Sequence, residues 1–359
     1  MRDRKSHRST VSREATRLGG DAIAQKGTIS IHFVRPIAEA VRAHGLDEQT
    51  LLREAGISPV LLDVARSRVS AHQYAALWRL VIGRLDDEFF GQDSRRMKAG
   101  SFALLCRSVV HCSNLRAALE RSGRFIGILL DDLAVELREE GRTARLTLQQ
   151  RAGTGPARVF AHETLLVMLH GLACWLVGRR IPIQSAEFAY PSPAHRGEYP
   201  VLFSSSLRFE QPRTVIEFDA ALLDLPVVQS ERSAKDFLRI APENILLKYK
   251  NAQGIAARIR RRLRQELPRE LPELDAVARE FHTAPATLRR RLKAEGQSYQ
   301  SIKDDLRRDL AITYLSSTRK SVREIAQALG FLEPSAFHRA FKRWAHTSPG
   351  AYRRGARPR

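Results

Sequence analysis

The chain has 359 residues, which is enough for two domains that each bury their own hydrophobic core. Its hydrophobic fraction of 43% is ordinary for a globular protein, and its formal net charge of +21 favours a polyanionic partner over an acidic or neutral one. Residues 251–359 hold 24 Lys and Arg against 11 Asp and Glu, so the C-terminal end carries most of this excess. The charge distribution therefore predicts a nucleic-acid-binding domain there.

The N-terminal end and the cysteines bear on the cellular compartment. Residues 1–26 contain 7 Lys and Arg and 3 Asp and Glu without a long apolar run, which predicts a disordered basic arm instead of a secretion signal. The longest apolar run, Leu165–Val177, is too short to cross a hydrocarbon layer of about 30 Å, so no membrane partner is expected. The three cysteines, an odd and sparse set that predicts a reducing, cytoplasmic location, are Cys106, Cys112 and Cys174.

Helical periodicity dominates the chain from residue 27 to about residue 130. Apolar residues recur at helical spacing, for example at Val34, Ile37 and Val41, and Gly45 follows as an expected helix end. The helices predicted in this way cover 34–44, Glu48–Ala55, 74–81, Leu104–Val110 and Leu115–Ile126. The first part of the chain is therefore expected to be helical.

The periodicity then changes to the alternation that is typical of strands. Leu133, Val135 and Leu137 alternate with polar residues, and the pattern resumes after Gly141, which predicts a β-hairpin. A long apolar helix is predicted next, and it covers Arg158–Val177. The strand-like segments after it are Ile183–Ala189, Val201–Phe203, Leu207–Phe209 and Val215–Phe218. Residues 27–230 are therefore expected to form an α+β domain, which a linker over 231–253 joins to an all-α domain over 254–355.

The C-terminal domain contains one helix-turn-helix pattern written twice, with one residue inserted in the second turn. The matched pairs are Ala278 with Ala326, Phe281 with Leu329, Leu288 with Phe337, Arg290 with Arg339 and Lys293 with Lys342. The turns hold His282 and Gly330, two residue types that tolerate positive φ. Pro285 and Pro334 stand where the second helices should begin. A duplicated helix-turn-helix unit predicts double-stranded DNA as the partner.

Roles follow from the way such a unit docks, because its second helix enters the major groove with its N-terminal residues toward the bases. The residues predicted to face bases are Ala286, Arg289, Arg290, Ser335, His338 and Arg339. The residues predicted to contact phosphates are Arg291, Lys293, Lys342 and Arg343. The apolar residues predicted to form the core of the units are Leu288, Leu292, Phe337 and Phe341. Arginine can bind guanine through two hydrogen bonds, whereas Ala286 offers only a methyl contact to thymine.

Two further apolar stripes flank the units. One includes Ile255, Ile259 and Leu263 and should bury against the first unit. The other predicts a helix over Ser298–Ser316 that is about 28 Å long. Successive major-groove faces on one side of B-DNA lie about 34 Å apart. A single rigid helix is therefore expected to hold the two units in adjacent groove segments, so that one chain reads a bipartite site.

Part of the C-terminal domain closely resembles the signature of the AraC/XylS family. The matching residues are Ile325–Phe331, Pro334–Trp344, Ser348, Pro349, Tyr352 and Arg353. The upstream domain resembles the variant N-terminal domain of that family, which begins with helices and is not a cupin barrel. The residues that carry this second resemblance are Gly45–Asp47, Leu51–Ile57, Arg68–Ser70, Leu115–Leu119, Phe218, Leu222, Leu225 and Pro226. His346 departs from the pattern, because the family usually has Gly at that position.

The resemblance implies a bacterial, cytoplasmic transcription regulator that is not an enzyme and needs no cofactor. Its N-terminal domain is expected to sense a small-molecule effector of unknown identity or to mediate self-association. The expected partners are therefore promoter or operator DNA, that effector, and a second copy of the chain in a homodimer. The expected outcome is activation of neighbouring genes, which adds RNA polymerase as a partner.

Four other interpretations remain open at this stage. His162, His170 and Cys174 share one apolar helix and could bind a metal or haem, but burial in a structural helix is preferred, since zinc sites usually need four convergent ligands. Cys106 and Cys112 could form a redox sensor, although ordinary burial is again preferred. A DNA-repair alkyl-transferase fused to this domain would need a Cys-rich zinc module, and no C-x-x-C spacing occurs. An architectural, ligand-independent DNA binder is the remaining alternative.

Overall fold

The computed structural model describes residues 28–64, 67–242, 245, 255–294, 298–345 and 347–356. The predicted basic arm 1–26, His346 and most of the predicted linker beyond residue 242 therefore lie outside the described residues. The helices before residue 250 are α1 Arg35–Ala43, α2 Glu48–Glu54, α3 Ala71–Leu85, α4 Ser101–Val109, α5 Leu115–Leu129, α6 Val159–Leu176, α7 Tyr199–Leu202 and α8 Glu231–Ile240. The strands are β1 Thr28–Ser30, β2 Arg68–Ser70, β3 Leu133–Glu140, β4 Thr143–Gln150, β5 Ser185–Glu187, β6 Leu207–Arg208 and β7 Thr214–Asp219. The helices after residue 250 are α9 Ile255–Glu266, α10 Leu274–Glu280, α11 Pro285–Ala294, α12 Tyr299–Ser317, α13 Val322–Ala328, α14 Pro334–Ala345 and α15 Pro349–Ala356.

The helices that open the N-terminal domain follow the predicted apolar stripes. Ile37 and Val41 of α1 are buried, and Gly45, with a φ of +72°, follows the helix end as expected. At the start of α3, Ser70 Oγ accepts a hydrogen bond from Gln73 N at 3.2 Å, while Gln73 Oε1 accepts one from Ser70 N at 2.8 Å. This reciprocal capping satisfies two backbone donors that a helix start leaves unpaired. The predicted helical opening of the domain is confirmed.

A five-stranded sheet forms the second half of the domain, in the order β3-β4-β7-β5-β6, with only β5 and β6 parallel. The predicted hairpin is confirmed, with Glu140 paired to Thr143 across the turn. Helix α5 packs closely on β3, because a Cβ at Gly123 would lie 2.8 Å from Val135 O. A smaller sheet pairs β1 with β2, in antiparallel register. The predicted α+β class is confirmed for this domain.

One predicted strand is wrong. Val201–Phe203 lies at the end of a short helix, α7, which follows a 3-10 turn over Arg196–Glu198. Pro200 sits in the first turn of α7, where a proline costs no helical hydrogen bond. Tyr199 and Phe203 are four residues apart and both buried, so this segment buries its apolar side chains with helical periodicity.

Helix α6 is the core of the N-terminal domain. It is apolar on all sides, and almost every residue from Phe160 to Leu176 is buried. By length and mean hydropathy (1.5) it could cross a membrane, but 89% of that stretch is buried inside the protein. A helix that is hydrophobic all round and covered by other elements is typical of a domain core.

Helix α8 packs against the N-terminal domain, although its sequence was assigned to the start of a linker. Ala234 is fully buried, and the Phe237 ring stacks on Trp175 of α6 with centroids 4.5 Å apart. The chain thus stays in contact with the first domain to at least Phe237. The predicted bounds of the linker, 231–253, and of the two domains remain predictions.

His162, His170 and the three cysteines of the N-terminal domain are buried parts of its packing. His170 Nε2 lies 2.8 Å from Ile181 O, and Cys174 Sγ accepts a hydrogen bond from Ile181 N at 3.2 Å. Burial lowers the pKa of His170 to about 4 and raises the pKa of Cys174 to about 11. Burial also raises the pKa of Cys106. These thiols stay protonated at neutral pH, which opposes a reactive role, and the predicted burial of these residues is confirmed.

The buried histidines should make the stability of the protein fall on acidification. Burial lowers the pKa of His162 to about 4 as well, whereas both imidazoles titrate near pH 6.5 in an unfolded chain. Between these values the unfolded state binds more protons, so the free energy of unfolding should drop by about 2 kcal/mol per histidine from pH 7.5 to pH 5. Urea unfolding at both pH values measures this drop. His170→Gln should reduce it, whereas His44→Gln, at an exposed position, should leave it unchanged; equal drops in both variants would contradict the assignment.

Candidate DNA interface and effector domain

The first helix-turn-helix unit consists of α10 and α11. His282 in its turn has a φ of +49°, as predicted, and Thr283 N donates to Ala278 O at 3.0 Å to close the end of α10. Leu288 and Leu292 are buried under the unit, which confirms their predicted core role. The opposite side of α11 is left to solvent.

The second unit consists of α13 and α14 and is closed by α15. Ser321 Oγ accepts from Glu324 N at 3.2 Å and Glu324 Oε2 accepts from Ser321 N at 2.6 Å, so a capping box begins α13. Phe337 and Phe341 are fully buried, as predicted. The Phe331 ring packs against the Phe337 ring with centroids 5.5 Å apart, so the turn contacts the recognition helix α14.

Gly330, in the turn of the second unit, packs closely on the backbone of the loop that precedes the first unit. Its φ is +72°, as predicted for this turn, and a Cβ there would lie 2.9 Å from Arg269 O and 3.2 Å from Pro268 O. The loop that precedes the first unit therefore packs on the turn of the second. Only glycine fits both the conformation and the close approach.

Gly330→Ala should destabilise the C-terminal domain, because the added methyl group meets two backbone carbonyls and the positive φ becomes strained. We expect the loss to exceed about 1 kcal/mol, measured as a lower urea midpoint of the protein. Gly350→Ala is the matched control, since the nearest atom to a Cβ there is Arg354 Nη1 at 3.7 Å. If both variants unfold at the same urea concentration, the close approach at Gly330 is wrong.

Helix α12 organises the domain. The predicted bounds Ser298–Ser316 agree with the observed Tyr299–Ser317, and Ser298 caps the helix by accepting from Ser301 N at 3.0 Å. It packs on the second unit, on α15 and on the first helix, α9, whose Ile259 and Leu263 are fully buried. Just before the first unit, Pro272 O accepts a hydrogen bond from Tyr299 OH of α12 at 2.5 Å. The stripe on α9 was expected to bury against the first unit, and it packs mainly on α12 instead, with a smaller contact to α11.

All ten residues predicted to contact DNA are exposed on the second helices of the two units. They are Ala286, Arg289, Arg290, Arg291 and Lys293 on α11, and Ser335, His338, Arg339, Lys342 and Arg343 on α14. Among the residues that the structure describes, the only ion pair made by this set joins Arg343 Nη2 to Asp304 Oδ2 at 4.0 Å. These cations are thus available to an anionic partner, while their individual roles stay predictions.

A buried polar cluster lies in the N-terminal domain, and the sequence analysis did not predict it. Glu163 of α6 has a side chain only 3% exposed, and its Oε1 lies 2.6 Å from His195 Nε2. Tyr199 OH donates to the same oxygen at 2.5 Å and lies 3.1 Å from Tyr190 OH. Burial and the nearby Glu163 raise the pKa of Tyr199, which keeps it a donor. The available sequence signal was one acidic residue inside an otherwise apolar helix.

A second polar cluster joins the two domains, and we call Thr28, Arg68, Glu198 and Asp309 the docking cluster. Thr28 Oγ1 of β1 donates to Asp309 Oδ1 of α12 at 2.6 Å and accepts from Arg68 Nε of β2 at 2.7 Å. The Arg68 guanidinium also binds both carboxylate oxygens of Glu198. Tyr352 OH of α15 donates to Arg68 O at 3.1 Å. Strands β1 and β2 therefore rest on α12 and α15.

Asp309 is the charge on which this contact depends. Its side chain is 12% exposed and pairs with Arg260 of α9. Burial alone would raise the pKa of Asp309, but Arg260, Arg308 and Arg68 outweigh it and hold the pKa well below its usual range. The carboxylate therefore stays ionised and needs these cations at all physiological pH values.

Two helix-turn-helix units on one connecting helix, with uncovered cations on both recognition helices, define a DNA-binding protein with an attached α+β domain. Comparison with known proteins identifies the family to which it belongs. Residues 45–227 match the family model described as the arabinose-binding domain of AraC transcription regulator, N-terminal, and residues 277–355 match a helix-turn-helix domain. The chain belongs to the AraC family of transcription regulators, which confirms the resemblance seen in the sequence.

Individual relatives agree with this assignment. The chain is 30% identical over 329 residues to the ornithine utilization regulator of Pseudomonas aeruginosa, over 90% of this chain and 96% of that protein. It is 25% identical over 330 residues to an uncharacterized helix-turn-helix transcriptional regulator of Mycobacterium tuberculosis, over 90% of this chain and 96% of that protein. Among solved structures, the transcriptional regulator CdpR of Pseudomonas aeruginosa is 18% identical, with 91% of this chain and 98% of that chain covered and a TM-score of 0.32. The helix-turn-helix family model and the ornithine utilization regulator show that the chain is a DNA-binding transcription regulator.

Proposed function

We propose that this regulator is an effector-responsive activator of neighbouring genes and that one chain reads two successive major-groove segments. The observation that carries the proposal is the pair of recognition helices held by α12, with exposed cations on both. Helix α12 has 19 residues and so spans about 28 Å, close to the repeat of about 34 Å between groove faces. In this proposal, activation requires RNA polymerase as a partner and takes place in the cytoplasm. A homodimer would double the number of half-sites contacted. No enzymatic step is part of the proposal.

DNA binding is tested with duplexes selected from a randomised library by the full chain. We expect a bipartite motif with half-sites about one helical turn apart, and an affinity that falls steeply with salt. Arg339→Ala should cost about 1–3 kcal/mol and relax the base preference at one position, because the lost group faces a base. Lys342→Ala should weaken all sequences alike and make the salt slope shallower by about one.

Arg107→Ala provides the control for these two variants. Arg107 is an exposed arginine on α4 of the other domain, so its removal changes the net charge equally without touching the recognition helices. A uniform loss in Arg339→Ala would assign that residue to phosphate. A single-segment motif, or binding that is insensitive to salt, would contradict the two-segment proposal.

We further propose that the buried polar cluster at Glu163 binds a small cationic effector. A carboxylate enclosed by Tyr190, Tyr199 and His195 offers a countercharge and aromatic faces, which together suit an ammonium group. The name of the Pseudomonas relative, an ornithine utilization regulator, supports an amine-bearing compound.

Thermal unfolding with added small molecules tests this effector class. Ornithine or a similar diamine should raise the Tm of the full chain, because a ligand that binds only the folded state stabilises it. Glu163→Gln should abolish that rise, whereas Glu187→Gln, which changes an acid of β5 that pairs with Arg208, should keep it. A rise with arabinose but not with amines would reject the cationic class.

A further inference from the structure

The segment from His195 to Tyr199 faces two sites at once. The side chains of His195 and Tyr199 point inward to Glu163, at 2.6 Å and 2.5 Å. Glu198, directly before Tyr199, binds the Arg68 guanidinium of the docking cluster. One short segment therefore contacts the buried polar cluster on one side and the domain interface on the other.

Arg68 continues the connection toward the DNA-binding domain. Its guanidinium binds Thr28 Oγ1 and Thr28 O, at 2.7 Å and 3.0 Å, and Thr28 in turn donates to Asp309 Oδ1. Asp309 lies within α12, which packs on α9 and on the recognition helix α14 and connects the two units along the chain. A shift of the His195–Tyr199 segment would thus change the hydrogen bonding around the Asp309 carboxylate, whose side chain is only 12% exposed.

We propose that the docking cluster transmits the effector signal: a change at Glu163 moves the segment from His195 to Tyr199, and Arg68 carries that movement to Asp309 and so to α12. This inference rests on the proposed function, since it assigns the regulation of the same DNA interface. Arg68, Thr28 and Asp309 are positioning residues, because none of them lies on a recognition helix.

The docked arrangement leaves the recognition helices uncovered. The residues predicted to contact DNA are exposed while β1 and β2 rest on α12 and α15. The effector domain therefore does not act by covering the DNA-binding surface. It acts on the helix that fixes the spacing and orientation of the two units.

Hydrogen exchange of the full chain, followed by mass spectrometry, tests the route without any ligand. Glu163→Gln should speed exchange in peptides that cover 195–203 and, through the docking cluster, in peptides that cover 302–312 of α12. In a Thr28→Val background, which removes only the bridging hydroxyl, the effect on 302–312 should vanish and the effect on 195–203 should persist. Asp309→Asn should give the same result. An effect that stays within the N-terminal domain, or that reaches α12 equally in all backgrounds, overturns the proposal.

DNA affinity provides the second readout. Glu163→Gln should change the Kd for a selected duplex about fivefold or more, and less than twofold in the Asp309→Asn background, because coupling requires the intact route. Asp236→Asn, with a side chain 66% exposed, is the control for the added positive charge and should preserve the fivefold change. Equal changes in all backgrounds overturn the route. If the unmodified chain binds no selected duplex, the proposed function fails, while the exchange result still decides the route.

Discussion

The negative charge of Asp309 constrains the arrangement of the whole chain. It lies largely buried on the helix that connects the two helix-turn-helix units, and it is neutralised from two directions, by Arg260 and Arg308 of its own domain and by Arg68 of the other. Removing one partner of a buried ion pair typically costs about 3–5 kcal/mol. The two domains are therefore not merely tethered, because the central charge of the DNA-binding domain accepts a hydrogen bond from Thr28 of the N-terminal domain and is further stabilised by the nearby Arg68.

This arrangement gives α12 two tasks. Its apolar residues, including Ile302, Leu306 and Leu310, are buried, and the helix packs on α9, α13 and α14. Its polar residue Asp309 faces the other domain. A rigid helix that contacts both domains is suited to convert a small displacement of the N-terminal domain into a change in the position of the recognition helices. The reason is that packed interfaces shift between discrete positions more readily than they deform.

The success of the sequence analysis varied with the range of the interactions involved. The duplicated units, their turn residues and the buried pairs were predicted because capping, positive φ and helical periodicity are set by residues within a few positions of each other. The segment Val201–Phe203 was misassigned as a strand because a run of three apolar residues is compatible with both strand and helix periodicity. In the structure, the burial of Tyr199 and Phe203, four residues apart, favours the helix. The stripe on α9 was recognised, but its main neighbour, α12, was not.

By itself, the sequence determined the class of the protein: a basic, duplicated helix-turn-helix domain after an α+β domain. It also predicted which positions face DNA, and the structure shows that these positions are exposed. Only the tertiary structure decided that Glu163, Glu198, Arg68 and Asp309 form a connected series. The physical reason is distance along the chain, because Thr28 and Asp309 are separated by 281 positions and their contact leaves no local pattern. Periodicity indicates which face of a helix or strand is buried, whereas only the tertiary fold determines which buried charged groups come into contact.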